Sequence, residues 1–243
     1  PDPGEEVMNK KTILVTGIGG DVGQDVIRCL KDSGYGDSII GCDIERYVPG
    51  RQNVNKFFNA PRASDRRAYL KFLTGIVKKE SVAYIFPMPE IEIGILSEER
   101  NIFKGNPKVM INDPMIIRTF SDKFETAAFL KKSGFPHPRT FLPEELRGEL
   151  VYPFLLKQRR WGGAKDVVIV HDDEEFAFYI KKGKDRVAQE IIGSADEEYT
   201  VGVFSDGRKI YSIAFRRSLG YGSLSKSVEL MSDEVLDGVA ADI

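Results

Sequence analysis

Residues 152–165 read YPFLLKQRRWGGAK, an apolar run from Phe154 that closes on Lys157 and opens into a basic, glycine-containing loop. Such a run reads as a buried strand, and the glycines after it as the turn that ends it. A lysine at the inner end of an apolar strand is costly to desolvate unless it meets an anion. The loop from Gln158 to Asp166 sets Arg159, Arg160 and Lys165 around Trp161, Gly162 and Gly163. Backbone N–H groups of a glycine loop can fold over phosphate oxygens while cationic side chains neutralise their charge. Read alone, Lys157 could equally be a surface lysine at a strand terminus, so the flanking sequence has to decide.

Outward from this stretch, the pattern predicts a strand over 167–170 and a helix over 172–181, opened by Asp-Asp-Glu-Glu as suits a helix N-terminus. Strands follow over 186–192, 199–204 and 209–215, with a turn at Ser205-Asp206-Gly207. The edge Gln189-Glu190-Ile191-Ile192-Gly193 offers backbone groups that can pair with an adenine edge, and Glu198 can accept ribose hydroxyls. The pair Glu197-Glu198 also fits a solvated acidic turn. Upstream, residues 121–133 (SDKFETAAFLKKS) read as an amphipathic helix capped by Ser121, with Phe124, Ala128 and Phe129 among its apolar positions. Lys123 at its start supplies a second cation. This half has the texture of an antiparallel α+β region.

The first half alternates differently. Strands are predicted over 11–16, 38–42, 81–86 and 108–111, with helices after Gly23, over 68–77 and over 91–100, which argues for a parallel sheet flanked by helices. Gly17-Ile18-Gly19-Gly20-Asp21-Val22-Gly23 after the first strand, with Asp43 closing the second, is the outline of a dinucleotide site. Any strand-to-helix turn in such a sheet benefits from glycine as well. An NAD(P)-linked oxidoreductase or epimerase is therefore an alternative. It lacks a Tyr-x-x-x-Lys pair, because Tyr69 is followed four residues on by Leu73 and Tyr84 by Met88.

Composition narrows the chemistry. A net charge of −2 over 243 residues carries no footprint for nucleic acid or an anionic membrane, and no apolar run approaches a membrane span. Two histidines, His137 and His171, exclude a multi-histidine zinc site and disfavour a Ser/His triad. Cys29 and Cys42 form no C-x-x-C and read as buried free thiols of a reducing compartment. Residues 1–7 (PDPGEEV) read as an appended remnant or loose arm, with Met8 as the natural start.

In order and spacing these pieces resemble the ATP-grasp superfamily, closest in pattern to the carbamoyl-phosphate-synthase-like carboxylate–amine ligases. Ser121-Asp122-Lys123 with the run to Gly134-x-Pro136-x-Pro138-x-Thr140, then Tyr152 to Lys157, then Gln189 to Gly193 with Glu198-Tyr199-Thr200-Val201, are similar to three family segments. The first half, with Asp43, Ala60-Pro61 and Phe86-Pro87 before Glu90 and Glu92, resembles the Rossmann-like pre-ATP-grasp domain. The resemblance implies an α/β chain. It has a Rossmann-like domain with a parallel sheet over 8–112 and an ATP-grasp region over 113–243, divided into a lid subdomain (113–188) and a partial C-terminal subdomain (189–243). It implies phosphate-contacting Lys123 and Lys157, a phosphate lid over 161–165 including Lys165, an adenine hinge over 189–192 and Glu198 on the ribose. The glycine turn is then structural.

By the same resemblance the cofactors are ATP and Mg²⁺, and a substrate carboxylate attacks the γ-phosphoryl group to give an acylphosphate that an amine captures. Arg216, with Arg217 and Lys226, is the candidate for holding the acylphosphate or acceptor carboxylate. These three also fit an exposed basic strand edge. The expected partners are a small-molecule carboxylate and amine, without nucleic acid or membrane, in a cytoplasmic protein that can form a homodimer. Two positions depart from the family pattern, Gln158 where a proline is usual and Asp166 where a glycine is usual. The family's metal ligands, an acid and a Glu-x-Asn on later strands, are not found, and Glu229 is a poor substitute. They are expected beyond residue 243, in a longer protein of which this chain is a part. A chain that ended naturally here would instead be a non-catalytic nucleotide-binding module.

Overall fold

The computed structural model of the protein describes residues 11–34, 38–160, 166–194, 198–220 and 225–242. Two compact units divide between Ser121 and Asp122.

The first unit is built on β1 (Thr12–Thr16), β2 (Ile39–Asp43), β3 (Lys56–Asn59), β4 (Val82–Phe86) and β5 (Lys108–Val109), all parallel in the order β3-β2-β1-β4-β5. Helices α1 (Asp21–Asp32), α2 (Arg66–Glu80), α3 (Glu90–Glu98) and α4 (Pro114–Phe120) complete it. Alternation along β1 explains the near-continuous apolar run. Ile13 and Val15 pack with Ile18, Ile27 and Ile39 on one face, while Leu14 packs with Ile40, Tyr69, Leu73 and Ile85 on the other. A parallel strand covered by helices on both faces has no polar side to show.

Differences from the sequence reading have local causes. β3 is not predicted because KFFN is a short edge strand, half-exposed, without the alternation that marks a strand with one wet face. α4 opens with Pro114 behind the cap Asp113, a start that reads in sequence only as a break. Cys42 is buried as expected, but Cys29 is exposed. The inward positions of α1 are Gly23 and Ile27, and Cys29 falls about 200° round the helix from Ile27.

The second unit contains two antiparallel sheets. One joins β6 (Thr140–Phe141), β7 (Phe154–Gln158), β8 (Val168–Val170) and β9 (Arg186–Gln189) in the order β6-β9-β7-β8. Helix α5 (Lys123–Lys132) precedes this sheet, and α6 (Asp173–Lys182) lays Phe176, Tyr179 and Ile180 against Phe154, Leu156, Val170 and Ala188 on one of its faces. The other sheet joins β10 (Glu198–Ser205), β11 (Ile210–Leu219) and β12 (Ser225–Met231). Helix α7 (Glu234–Asp242) follows it, tied by Ser212 Oγ donating to Asp237 Oδ1 at 2.6 Å. The cap of α5 is Asp122 and not Ser121, and its buried position is Ala127 while Ala128 is exposed. No helix among the described residues is long and apolar enough to cross a membrane.

Candidate functional site

Lys157 is the penultimate residue of β7 and is half-buried on the sheet face opposite α6. Its Nζ donates to Gln189 Oε1 at 2.5 Å, and Gln189 Nε2 donates to Thr140 Oγ1 at 2.7 Å. The lysine ammonium is held below its usual pKa, first by burial and then by the positive charge of Lys123. That charge stands at the first residue of α5, 34 positions earlier in the sequence.

The beginning of the glycine-containing loop is anchored to α5. Asp122, its side chain 3% exposed, accepts Arg159 Nε on both oxygens at 2.9 Å and Arg160 Nε at 3.2 Å. The same carboxylate caps α5 by accepting from Phe124 N at 3.0 Å and Glu125 N at 3.3 Å. Burial alone would raise its pKa, but the Arg159 bonds and the helix N–H groups outweigh that and hold it below the usual carboxylate range. Lys123 N donates to Arg159 O at 3.0 Å, and Arg159 N to Asp185 O at 2.8 Å. Trp161, Gly162, Gly163 and Lys165, expected in the phosphate lid, lie outside the described residues.

Asp166 follows that loop in the left-handed conformation, with φ +66°. It pairs with Arg186 Nη2 and accepts from Gln158 Nε2 at 3.3 Å. Arg186 is buried, its side chain 4% exposed, and its Nε and Nη1 have no partner among the described residues.

The expected adenine hinge falls where β9 ends. Glu190 is engaged with Arg139, accepting from its N and its Nε at 2.7 Å each, while Glu190 N donates to Arg139 O at 3.0 Å. Its carboxyl is held down by those Arg139 bonds. Ile191 and Ile192 are exposed beyond it. Glu198 lies on the other sheet, ion-paired with Arg217 across β10 and β11. Arg216, the expected anion holder, is exposed and stands in register with Tyr199 and Glu229. Lys157 and Gln189 thus come together, while Glu198 and Arg216 sit on a separate sheet. The sequence assigns no site role to Asp122, Arg139, Thr140 or Arg186, although Asp122 and Thr140 fall in the first family segment. Asp122 had a signal, since Asp122-x-x-Glu125 has the spacing of a capping box.

In the first unit, the glycine turn is filled by the chain itself. Gly17 has φ +61°, and a Cβ there would stand 2.7 Å from Pro89 Cγ. Asp43 spends its carboxylate on backbone, accepting Gly19 N at 2.8 Å and Glu45 N at 2.9 Å. The 3₁₀ turn Pro49–Asn53 presses Gly50 so close that a Cβ would lie 2.2 Å from Ile18 O. The acid and the turn that a dinucleotide would need are occupied by structural contacts, which disfavours the oxidoreductase alternative. Nearby, Glu92 is buried and accepts Tyr69 Oη at 2.6 Å; burial first, with Asp43 adding, pushes its pKa up against the bonds from Thr16 and Tyr69.

No group of three or more His, Cys, Asp or Glu side chains that could hold a metal occurs among the described residues.

Comparison with known proteins agrees with this layout. No curated protein sequence matches the chain. The structure of L-amino acid ligase from Bacillus licheniformis is similar at TM-score 0.71 and 13% identity, over 96% of this chain and 59% of the ligase. N5-carboxyaminoimidazole synthetase from Staphylococcus aureus, complexed with ADP, gives TM-score 0.73 and 16% identity over 96% of this chain and 61% of that one. Biotin carboxylase from Campylobacter jejuni gives TM-score 0.68 and 16% identity over 95% and 57%. The chain spans about three fifths of the length of each. Two family descriptions match: "PylC-like, N-terminal domain" over residues 13–110 and "ATP-grasp domain" over 120–226. The chain is accordingly an ATP-grasp protein, in which a PylC-like N-terminal domain is followed by the ATP-grasp domain.

Proposed function

We propose that the chain is the ATP-binding part of a carboxylate–amine ligase of carbamoyl-phosphate-synthase-like pattern. In the full reaction a carboxylate oxygen attacks the γ-phosphorus of ATP, releasing ADP and forming an acylphosphate. An amine then displaces phosphate from the acyl carbon to give an amide. The observation that carries the reading is Lys157, half-buried at the inner end of β7 and bonded to a neutral amide instead of a carboxylate. A partly buried ammonium bonded only to a neutral amide is better stabilised once an anion joins it, and the phosphates of ATP are such an anion. The fold likeness to enzymes solved with ADP supports the same ligand. Arg139, which braces Glu190, keeps the end of β9 in place for the adenine edge, with Glu198 as the ribose acid. Lys123, Lys157 and the lid residues 161–165 are assigned to the phosphates, and Arg216 to the acyl group. Substrates are a small carboxylate and an amine; the free thiols suit the cytoplasm, and a homodimer is the assembly to look for. Chemistry that Mg²⁺ supplies in phosphoryl transfer, neutralising the developing charge, is assigned to ligands other than the described residues.

Calorimetric titration with ATP and Mg²⁺ tests this. Lys157→Ala is expected to weaken ATP about 10- to 100-fold, the worth of one charge-assisted contact, while Lys181→Ala is neutral. Asp43→Ala is expected to cost about 1–2 kcal/mol of stability without changing ATP affinity. Equal effects of the two lysine changes would defeat the site assignment, and NADH binding abolished by Asp43→Ala would restore the oxidoreductase.

A further inference from the structure

We infer that Gln189 and Thr140 are positioning residues for Lys157, so that the Gln189 side chain serves the lysine and not the nucleotide base. The inference rests on the proposal that Lys157 binds phosphate, and assigns the orientation of that lysine to the side chain of the first hinge residue, Gln189, and to Thr140 behind it.

Strand register makes the arrangement. Thr140 on β6 stands opposite Gln189 on β9, and Lys157 on β7 stands opposite Val187, two residues before Gln189. Because side chains alternate along a strand, Lys157, Gln189 and Thr140 project from one face across three adjacent strands. Their bonds form a directed series. Lys157 Nζ donates to Gln189 Oε1 at 2.5 Å, Gln189 Nε2 to Thr140 Oγ1 at 2.7 Å, and Thr140 Oγ1 to Pro138 O at 2.9 Å.

Each link fixes the next. The Thr140 proton is committed to a carbonyl, so its oxygen receives the amide N–H and the amide oxygen must turn toward the ammonium. The reversed amide would set N–H donors against a cation. Gln189 is 9% exposed, so leaving either end unbonded would incur a desolvation penalty. A neutral acceptor also suits the task. It holds one of the three ammonium N–H groups and leaves two, together with the full charge, for an anion. A glutamate at this place would hold the lysine equally well and compete with phosphate for it. From α5, the positive charge of Lys123 acts on Lys157.

The test compares Gln189→Leu, Gln189→Glu and Thr140→Val by two readouts. The first is the titration of Lys157 without nucleotide, followed by NMR of ¹³C-labelled lysine, its signal identified by its loss in Lys157→Ala. The second is ATP affinity by calorimetry. Gln189→Leu is expected to move the Lys157 titration to lower pH and weaken ATP on the order of 10-fold. Thr140→Val, which removes only a neutral bond, is expected to act in the same direction by roughly 3- to 5-fold. Gln189→Glu is expected to move the titration to higher pH and still weaken ATP. A Lys157 titration unmoved by all three changes overturns the inference, as does ATP affinity retained in Gln189→Glu. If Gln189→Leu does not fold, the two near-isosteric variants decide. An intact ATP affinity in Lys157→Ala would instead remove the proposed site, whatever the titration shows.

Discussion

Removing the Asp122 carboxylate should destabilise the second unit by an amount that can be worked from its contacts. It caps α5 through two backbone N–H groups, worth about 1 kcal/mol. It is also the buried partner of Arg159, and removing one member of a buried pair costs about 3–5 kcal/mol. The lower end applies, because the Arg159 side chain keeps 18% of its exposure and Arg160 keeps 52%. Asp122→Ala is thus expected to cost about 4 kcal/mol and Asp122→Asn, which retains a capping oxygen, about 3 kcal/mol. Urea unfolding followed by the fluorescence of Trp161, the one tryptophan and part of the second unit, reads these values. The pH dependence supplies a second check. The folded pKa of Asp122 lies below the unfolded value of about 3.9, so the stabilisation is present above that value and is lost as pH falls through the folded pKa. The gap between wild type and Asp122→Asn should therefore narrow below about pH 4. Losses under about 1 kcal/mol in both variants, or a gap that persists in acid, would refute the reasoning.

Two further outcomes concern the first unit. Gly50→Ala should cost about 1–3 kcal/mol, because its Cβ would meet backbone at Ile18 O and not a yielding side chain; an unchanged melting temperature would mean that the 3₁₀ turn does not press on the glycine loop. Glu92 has a folded pKa raised above its unfolded value, so its contribution is complete below the unfolded pKa and is lost as pH rises through the folded one. Glu92→Gln cannot ionise, so the melting temperature of the variant relative to wild type should climb with pH across that window; a constant difference from about pH 5 to 9 would contradict the raised pKa.

Much of the fold was legible because burial on both faces writes itself into consecutive apolar residues, as in ILV at 13–15 and the FLL that precedes Lys157. The lysine stood out for the same reason, as a charge at the end of such a run. Edge strand β3 has no comparable pressure on its sequence and passed unread. The roles of Thr140, which the sequence shows only as the end of a family segment, and of Arg186 were illegible for another reason. Their partners, Gln189 and Asp166, are set by strand register and by the shape of one loop, which no local spacing encodes. Asp122 was visible as part of a motif but not as a clamp, because its arginines lie 37 and 38 positions downstream.

The Asp166–Arg186 pair bears on how this loop can change by mutation. Asp166 stands in a left-handed backbone, which costs an L-residue roughly 1 kcal/mol that glycine would not incur. The carboxylate offsets this by engaging a guanidinium whose two other nitrogens have no described partner. Replacing Asp166 by glycine relieves the backbone but strands a buried cation; replacing Arg186 first leaves the strained aspartate without its counterion. Losing Asp166 alone carries the larger cost, because Arg186 is the buried partner and Asp166 is half exposed, so the two positions are energetically coupled. A lineage that carries glycine at 166 should carry something other than a buried arginine at 186.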